Sequence, residues 1–320
     1  MRVLVVGGAG YIGAHVCEEL VNAGYDVRIY DDFSNGLHSR ITKFPDVVTA
    51  DVLDRESLLK AMAGVDSVIH LAAKKAVGES VDNPLKYYEN NFGGTLNILA
   101  AMKIAGVKKI VFSSTAAVYS PSEKPAITEE DSTIPLSPYG ATKLLSEQLI
   151  SNVSSAEGFS CVSLRYFNVA GSGSDEMGDN SRDNLVPKVF LAITNGERPE
   201  VFGTDYPTPD GTCIRDYIHV SDLARAHIDA LKAVEKSRID EIYNVGSGNG
   251  FSVTEVMTEI EKAMGKNLNP ILGPRRAGDS PKLIASIEKI SRDLGWKPKH
   301  TLRDMITSSW SAWQSQGGSR

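Results

Sequence analysis

The chain has 320 residues, is 42% hydrophobic and 23% charged, and carries a net charge of −6. That acidic balance argues against broad nucleic-acid binding, and no apolar run approaches the roughly 18 residues needed to cross a bilayer, so no membrane association is expected. Three scattered cysteines (Cys17, Cys161, Cys213) suggest a reducing, cytoplasmic setting rather than a disulfide framework. The six histidines show no metal-ligand spacing with them, so no metal site is expected.

In chain order, the first half alternates short apolar runs with helical patterns. "VLVV" (Val3–Val6) opens, followed by strands at Asp26–Tyr30, Asp46–Ala50, Ser67–Ala72, Lys109–Ser114 and Ser160–Tyr166. Helices are predicted between them at Tyr11–Ala23, Arg55–Ala63, Pro84–Ala105 and Pro138–Ser154. Alternation of this kind implies an α/β fold with a doubly wound parallel sheet, covered on both faces. After about residue 169 the texture changes to a Gly/Ser/Asp-rich loop. Strands at Glu200–Gly203 and Glu241–Gly246 and helices at Ser221–Val234 and Ser252–Met264 follow. The expected organisation is a nucleotide-binding domain over 1–169 and a smaller cap over 170–320, some of whose strands return to the first domain.

"GGAGYIG" places Gly7, Gly10 and Gly13 between the first strand and a helix. Glycines there allow a tight turn and close approach of a pyrophosphate, and the helix start offers free N–H groups. Asp31 ends the second strand 18 residues beyond Gly13, where an acidic residue accepts from a ribose hydroxyl. A carboxylate there repels a 2′-phosphate and no arginine directly follows it, so NAD is favoured over NADP. Asp51 and Val52 follow the third strand, where they could meet the adenine edge.

"SPYGATK" (137–143) sets Tyr139 and Lys143 one helical turn apart, on one face. Alone, the pair reads either as a surface contact or as an acid–base tyrosine beside an activating cation, since a neighbouring positive charge favours phenolate. Following a strand that runs into "SSTAAVY", and combined with the glycine turn, it resembles the extended short-chain dehydrogenase/reductase superfamily. There the lysine binds the nicotinamide ribose and lowers the tyrosine's pKa, and Thr115 matches the hydroxyl partner.

The segments "KAVGES", "YYENNFGGTLNIL", "LRYFNVAG", "FGTDYPTPDGTCIRDYIHV" and "PRRAGD" narrow the resemblance to the UDP-glucose 4-epimerase family, with matches in order from residue 7 to about 279. The resemblance implies a Rossmann-type fold, NAD as cofactor, a UDP-sugar substrate and a homodimer. It implies Tyr139, Lys143 and Thr115 as the catalytic group. For the NAD site it implies Gly7, Gly10, Tyr11, Ile12, Gly13, Asp31, Asp32, Asn35, Asp51, Val52, Leu71, Ala72, Ala73, Lys75, Asn90 and Phe167. Around the UDP-sugar it implies Asn168, Asn184, Leu185, Val201, Phe202, Arg215, Tyr217, Arg276 and Asp279. Leu283 falls where a tyrosine in other members excludes N-acetyl groups, so UDP-N-acetylhexosamines are expected as further substrates. Related dehydratases read Thr-Asp-Glu where this chain reads Thr115-Ala116-Ala117, which disfavours elimination. Another NAD-dependent nucleotide-sugar enzyme is the alternative, and a non-enzymatic dinucleotide-binding module is a weaker one.

Overall fold

A computed structural model describes residues 1–276 and 279–317. The first six strands are β1 (Arg2–Val6), β2 (Asp26–Asp31), β3 (Val47–Thr49), β4 (Ser67–His70), β5 (Lys109–Thr115) and β6 (Ser160–Tyr166). The later ones are β7 (Asn168–Ala170), β8 (Glu200–Phe202), β9 (Ile214–His219), β10 (Asp240–Val245), β11 (Gly250–Ser252), β12 (Ile271–Gly273) and β13 (Lys282–Leu283). The main sheet has seven strands in the order β10-β6-β5-β4-β1-β2-β3, all parallel. The chain winds outward in both directions from β1 and β4, and the carboxyl ends of that central pair form the crevice in which such sheets bind ligands.

The helices are α1 (Tyr11–Asn22), α2 (Arg55–Ala61), α3 (Val77–Asp82), α4 (Pro84–Tyr87), α5 (Gly94–Ala105), α6 (Pro138–Glu157), α7 (Leu185–Thr194), α8 (Val220–Lys236), α9 (Val253–Met264), α10 (Glu288–Leu294) and α11 (Leu302–Ser315). Strand periodicity divides the core between the two faces of the sheet. Val3 and Val5 pack with Val16, Leu20 and Leu231 of α1 and α8, while Leu4 and Val6 pack with Leu58, Ile98 and Ile150 of α2, α5 and α6. Local chemistry sets the ends of α6. Ser137 Oγ accepts from Gly140 N at 3.2 Å, Pro138 fills the first turn, and Gly158 closes the helix at φ 71°.

The expected return of a late strand occurs. β10 lies parallel on β6, with Asp240 opposite Cys161 and Val245 opposite Tyr166. The rest of the later chain builds on β9, which pairs with β7, β11 and β13. Asp216 on β9 is buried and accepts from Ser247 N (2.7 Å), Gly248 N (3.0 Å) and Ala285 N (3.1 Å). It thereby ties the exit of β10 and the β13 segment to one strand, and burial pushes its carboxyl up to about 6.

One expected element differs. The predicted helix Pro84–Ala105 is divided by a π-helical turn over Tyr88–Gly93. Its apolar spacing resembles that of an uninterrupted helix, so the sequence pattern did not reveal it. π-turns of this kind frequently mark functional positions.

Candidate active site

The turn after β1 is built for close approach. Gly7 has φ 89°, and a Cβ there would lie 2.6 Å from Ala72 N; a Cβ on Gly13 would lie 2.1 Å from the Gly7 oxygen. Gly10 is the N-cap of α1 and offers no side chain to the first-turn N–H groups, which remain available to an anion. Asp31 sits beside the turn, its Oδ2 accepting from Ala9 N (2.9 Å) and its Oδ1 from Phe33 N (2.8 Å). Burial raises its pKa, against the lowering effect of those two bonds.

Gly7, Gly10, Asp31, Asp32, Asn35, Val52, Leu71, Ala72, Ala73 and Asn90 line one cavity. The cavity also uses residues the sequence reading missed, among them Tyr30, Ser34 and Lys74. Lys75, the expected lysine, is exposed, whereas Lys74 lines the cavity with its ammonium 3.0 Å from Ser34 Oγ. Adjacent lysines in an irregular segment give no periodicity by which to choose between them. Asp51 does not line the cavity: its Oδ1 accepts from Leu53 N at 2.8 Å, and its carbonyl accepts from the Tyr30 hydroxyl at 2.7 Å. Tyr11 reaches away to donate to the Gly171 carbonyl at 2.5 Å, and Ile12 packs on the core.

The π-turn carries Asn90 to the cavity and Asn91 to a second task. Asn91 Oδ1 accepts from Lys74 N (2.8 Å), and its Nδ2 donates to Lys74 O (3.0 Å) and Thr142 Oγ1 (3.2 Å). Thr142 Oγ1 in turn donates to the Tyr139 carbonyl at 2.8 Å. Asn91 therefore joins the cavity wall to the first turn of α6. Only its place beside Asn90 could have signalled it.

The end of β5 meets the start of α6. A Cβ on Gly140 would lie 2.3 Å from the Ala117 oxygen, so glycine in "SPYGATK" lets the helix press against Thr115–Ala117. This brings the Thr115 hydroxyl beside the Tyr139 phenol, whose pKa it lowers. Lys143 lies one turn further along, buried, its Nζ donating to the Ser113 carbonyl at 2.7 Å and 4.8 Å from the Phe112 ring centroid. Burial lowers its pKa to about 7, with Glu147 acting in the opposite direction. The expectation that Lys143 pulls the phenol's pKa down is not met here. Burial raises the Tyr139 pKa and only the Thr115 hydroxyl opposes it, while the ammonium is turned toward Ser113. Behind these groups Glu147 and Arg165 form a buried ion pair at 2.6 Å, and Glu147 also takes the Ser114 hydroxyl.

On the far side, Arg215 Nη2 lies 3.2 Å from Asp279 Oδ1 while its Nη1 donates to Ser280 O at 2.8 Å. The Arg276 guanidinium stacks 3.8 Å from the Phe202 ring centroid. Asn168 pairs in register with Tyr217 across β7 and β9 and lowers the Tyr217 pKa against the effect of burial. Asn184, the N-cap of α7, turns its side chain to Asp179 at 2.6 Å. Val201 and Tyr217 are buried in the cap's core, and Leu185 packs on it. Leu283 pairs in register with Arg215 and packs on the cluster holding Ala116 and Phe167, which brings it beside the end of β5.

A glycine cradle at a switch point, an acidic residue at the end of β2, and a Tyr/Lys/Thr group at the end of β5 define an epimerase or dehydratase of the dinucleotide-dependent kind. The NAD dependent epimerase/dehydratase family model matches residues 3–246, and the chain belongs to that family. Within it the chain falls with the UDP-glucose 4-epimerases. It is 43% identical to the UDP-glucose 4-epimerase of Bacillus subtilis, over 98% of this chain and 97% of the relative. It is 44% identical to that of Azospirillum brasilense, over 98% and 92%. A crystal structure of the Bifidobacterium longum enzyme in complex with NAD+ and UDP superposes with a TM-score of 0.91 at 40% identity, covering 99% of both chains.

Proposed function

We propose that this protein interconverts UDP-glucose and UDP-galactose with NAD as a bound cofactor. The observation that carries the reading is the Thr115–Tyr139–Lys143 group at the mouth of a glycine cradle that no side chain could share. Gly7, Gly10, Asp31, Asn35, Asn90 and Lys143 would hold the cofactor. Bound NAD supplies a hydride acceptor, and then donor, at C4 of the hexose and a positive charge near the phenol. Tyr139 removes the proton from the sugar 4-hydroxyl and later returns it, and Thr115 shares that proton across its hydrogen bond. Lys143, one turn away, would hold the nicotinamide ribose and leaves the charge that favours phenolate to the cofactor. Arg215 and Arg276 anchor the diphosphate, since guanidinium pairs bidentately with phosphate oxygens. With the nucleotide fixed and the hexose loosely held, the 4-keto sugar can present either face. Released NAD after denaturation, and conversion of UDP-galactose without added NAD, test this reading; failure of both rejects it.

The same reading extends to UDP-N-acetylglucosamine and UDP-N-acetylgalactosamine, because Leu283 leaves room where a tyrosine ring would stand. A Campylobacter jejuni structure described as a UDP-Glc/GlcNAc 4-epimerase, 36% identical with a TM-score of 0.86, supports it. The reading assigns cofactor binding to 1–169 and sugar binding to 170–320, in a cytoplasmic homodimer. Val81 (60% exposed), Leu85 (80%) and Leu96 (41%) lie on α3, α4 and α5, and exposed Leu145 on the neighbouring α6. A second copy would cover this apolar face. Among the described residues no helix is long and apolar enough to cross a membrane.

A further inference from the structure

Tyr206 is locked in place but, among the described residues, its hydroxyl has no partner. Its main-chain N–H donates to the Gly211 carbonyl at 2.9 Å. On one side of the ring the chain passes as Gly203, at φ 76°, where a Cβ would lie 2.4 Å from the ring. The Arg275 guanidinium lies 4.4 Å from the ring centroid and is itself fixed by Asp205 at 2.7 Å. The residue is only 4% exposed, yet among the described residues its hydroxyl has no hydrogen-bond partner. A buried polar group in that condition costs free energy, which native folds normally avoid. The charged groups that bear on the phenol are Asp279, Arg215 and Arg275, together with Cys213. Arg215 is one of the two arginines that the proposed function sets on the diphosphate, and the resemblance places Asp279 around the same nucleotide. Burial raises the phenol's pKa, so the hydroxyl stays protonated and acts as a donor.

We propose that Tyr206 is a further substrate-binding residue, whose hydroxyl donates to a phosphate oxygen of the nucleoside diphosphate beside Arg215. The inference rests on the proposed function. Phosphate offers acceptors only, and the clamped ring presents its donor without reorganisation, so the bond is made at little ordering cost. The hydroxyl contributes nothing to the ligand-free fold and is satisfied only when the nucleotide is bound.

The test is Tyr206→Phe in the NAD-loaded protein, which keeps the ring and the Arg275 stack. Calorimetry with UDP and with uridine, and melting with and without UDP, separate the outcomes. UDP affinity is expected to fall about 10-fold or more, as for a hydrogen bond to a charged group. Uridine affinity should be unchanged, the KM for UDP-galactose raised and kcat kept within about twofold. The ligand-free variant should melt no lower than wild type, since an unsatisfied buried group has been removed. Equal UDP affinity in the two proteins, an equal loss for uridine, or a lower ligand-free Tm would each overturn the proposal. Wild-type protein that binds no UDP would instead reject the function on which it rests.

Discussion

Lys143 Nζ donates to the Ser113 carbonyl, 2.7 Å away, while the Tyr139 phenol one turn before it lies beside Thr115, whose hydroxyl lowers its pKa. The two groups share a helix face yet serve different partners, one the last residue of β5 and one two residues before it. The lysine is therefore a buried amine with its pKa lowered to about 7 by desolvation.

That shift fixes a sign for pH dependence. An unfolded lysine titrates near 10.4, so between about pH 7 and 10.4 the unfolded chain holds a proton that the folded chain lacks, and stability rises with pH there. Below about pH 7 both states are charged and the burial penalty is fully present. Lys143→Met should remove this rise. Thermal melts of both proteins from pH 6 to 10 check it, and parallel profiles would contradict the assignment.

Tyr139→Phe removes one hydroxyl from a buried ring. Turnover should vanish, while NAD content and UDP affinity stay near wild type. Comparable turnover would exclude Tyr139 as the acid–base group.

Thr115→Val keeps the β-branched shape suited to a strand end but cannot bond the phenol. The rate should fall by about 100-fold or more, the scale of lost acid–base assistance. Single-turnover kinetics would show whether the chemical step is the one slowed. A rate within a few-fold of wild type would make Thr115 purely structural.

Asp31→Ala combined with Asp32→Arg should shift preference from NAD toward NADP, read as the ratio of cofactors retained after reconstitution. The change also leaves Ala9 N and Phe33 N without acceptors, so the melting temperature should drop, by a cost of about 1–3 kcal/mol. Wild type that retains both cofactors equally would defeat the argument from Asp31.

Leu283→Tyr places a phenol ring beside the Phe167 cluster. It should suppress turnover of UDP-N-acetylhexosamines and spare UDP-glucose, measured as kcat/KM on both substrate pairs. Equal loss on both pairs would remove Leu283 as the gate.

The legible parts of this fold are those written locally. Val3–Val6, the glycines after them, and Ser137-Pro138 before α6 each carry their instruction within a few residues. The parts hidden from the sequence depend on distant partners. Asp279 lies 64 residues from Arg215, and nothing in either segment announces the pair. The choice of Lys74 over Lys75 rests on how Asn91 holds the backbone 17 residues away. The π-turn escapes notice because an i→i+5 turn shifts the apolar register too little to disturb the pattern around it. The direction of the Lys143 ammonium is likewise a tertiary fact: two residues one turn apart can meet, but burial and the Ser113 carbonyl determine that here they do not.

Because β10 completes the sheet beside β6, the nucleotide half cannot close as it leaves the ribosome. Six strands emerge first, and Cys161–Tyr166 then waits as an open edge until residues 240–245 follow. An open edge of unpaired N–H and C=O groups is the template for strand-to-strand aggregation. Between about residues 167 and 245 of synthesis the nascent chain therefore carries an exposed strand edge, and a fragment ending there would keep that edge unpaired.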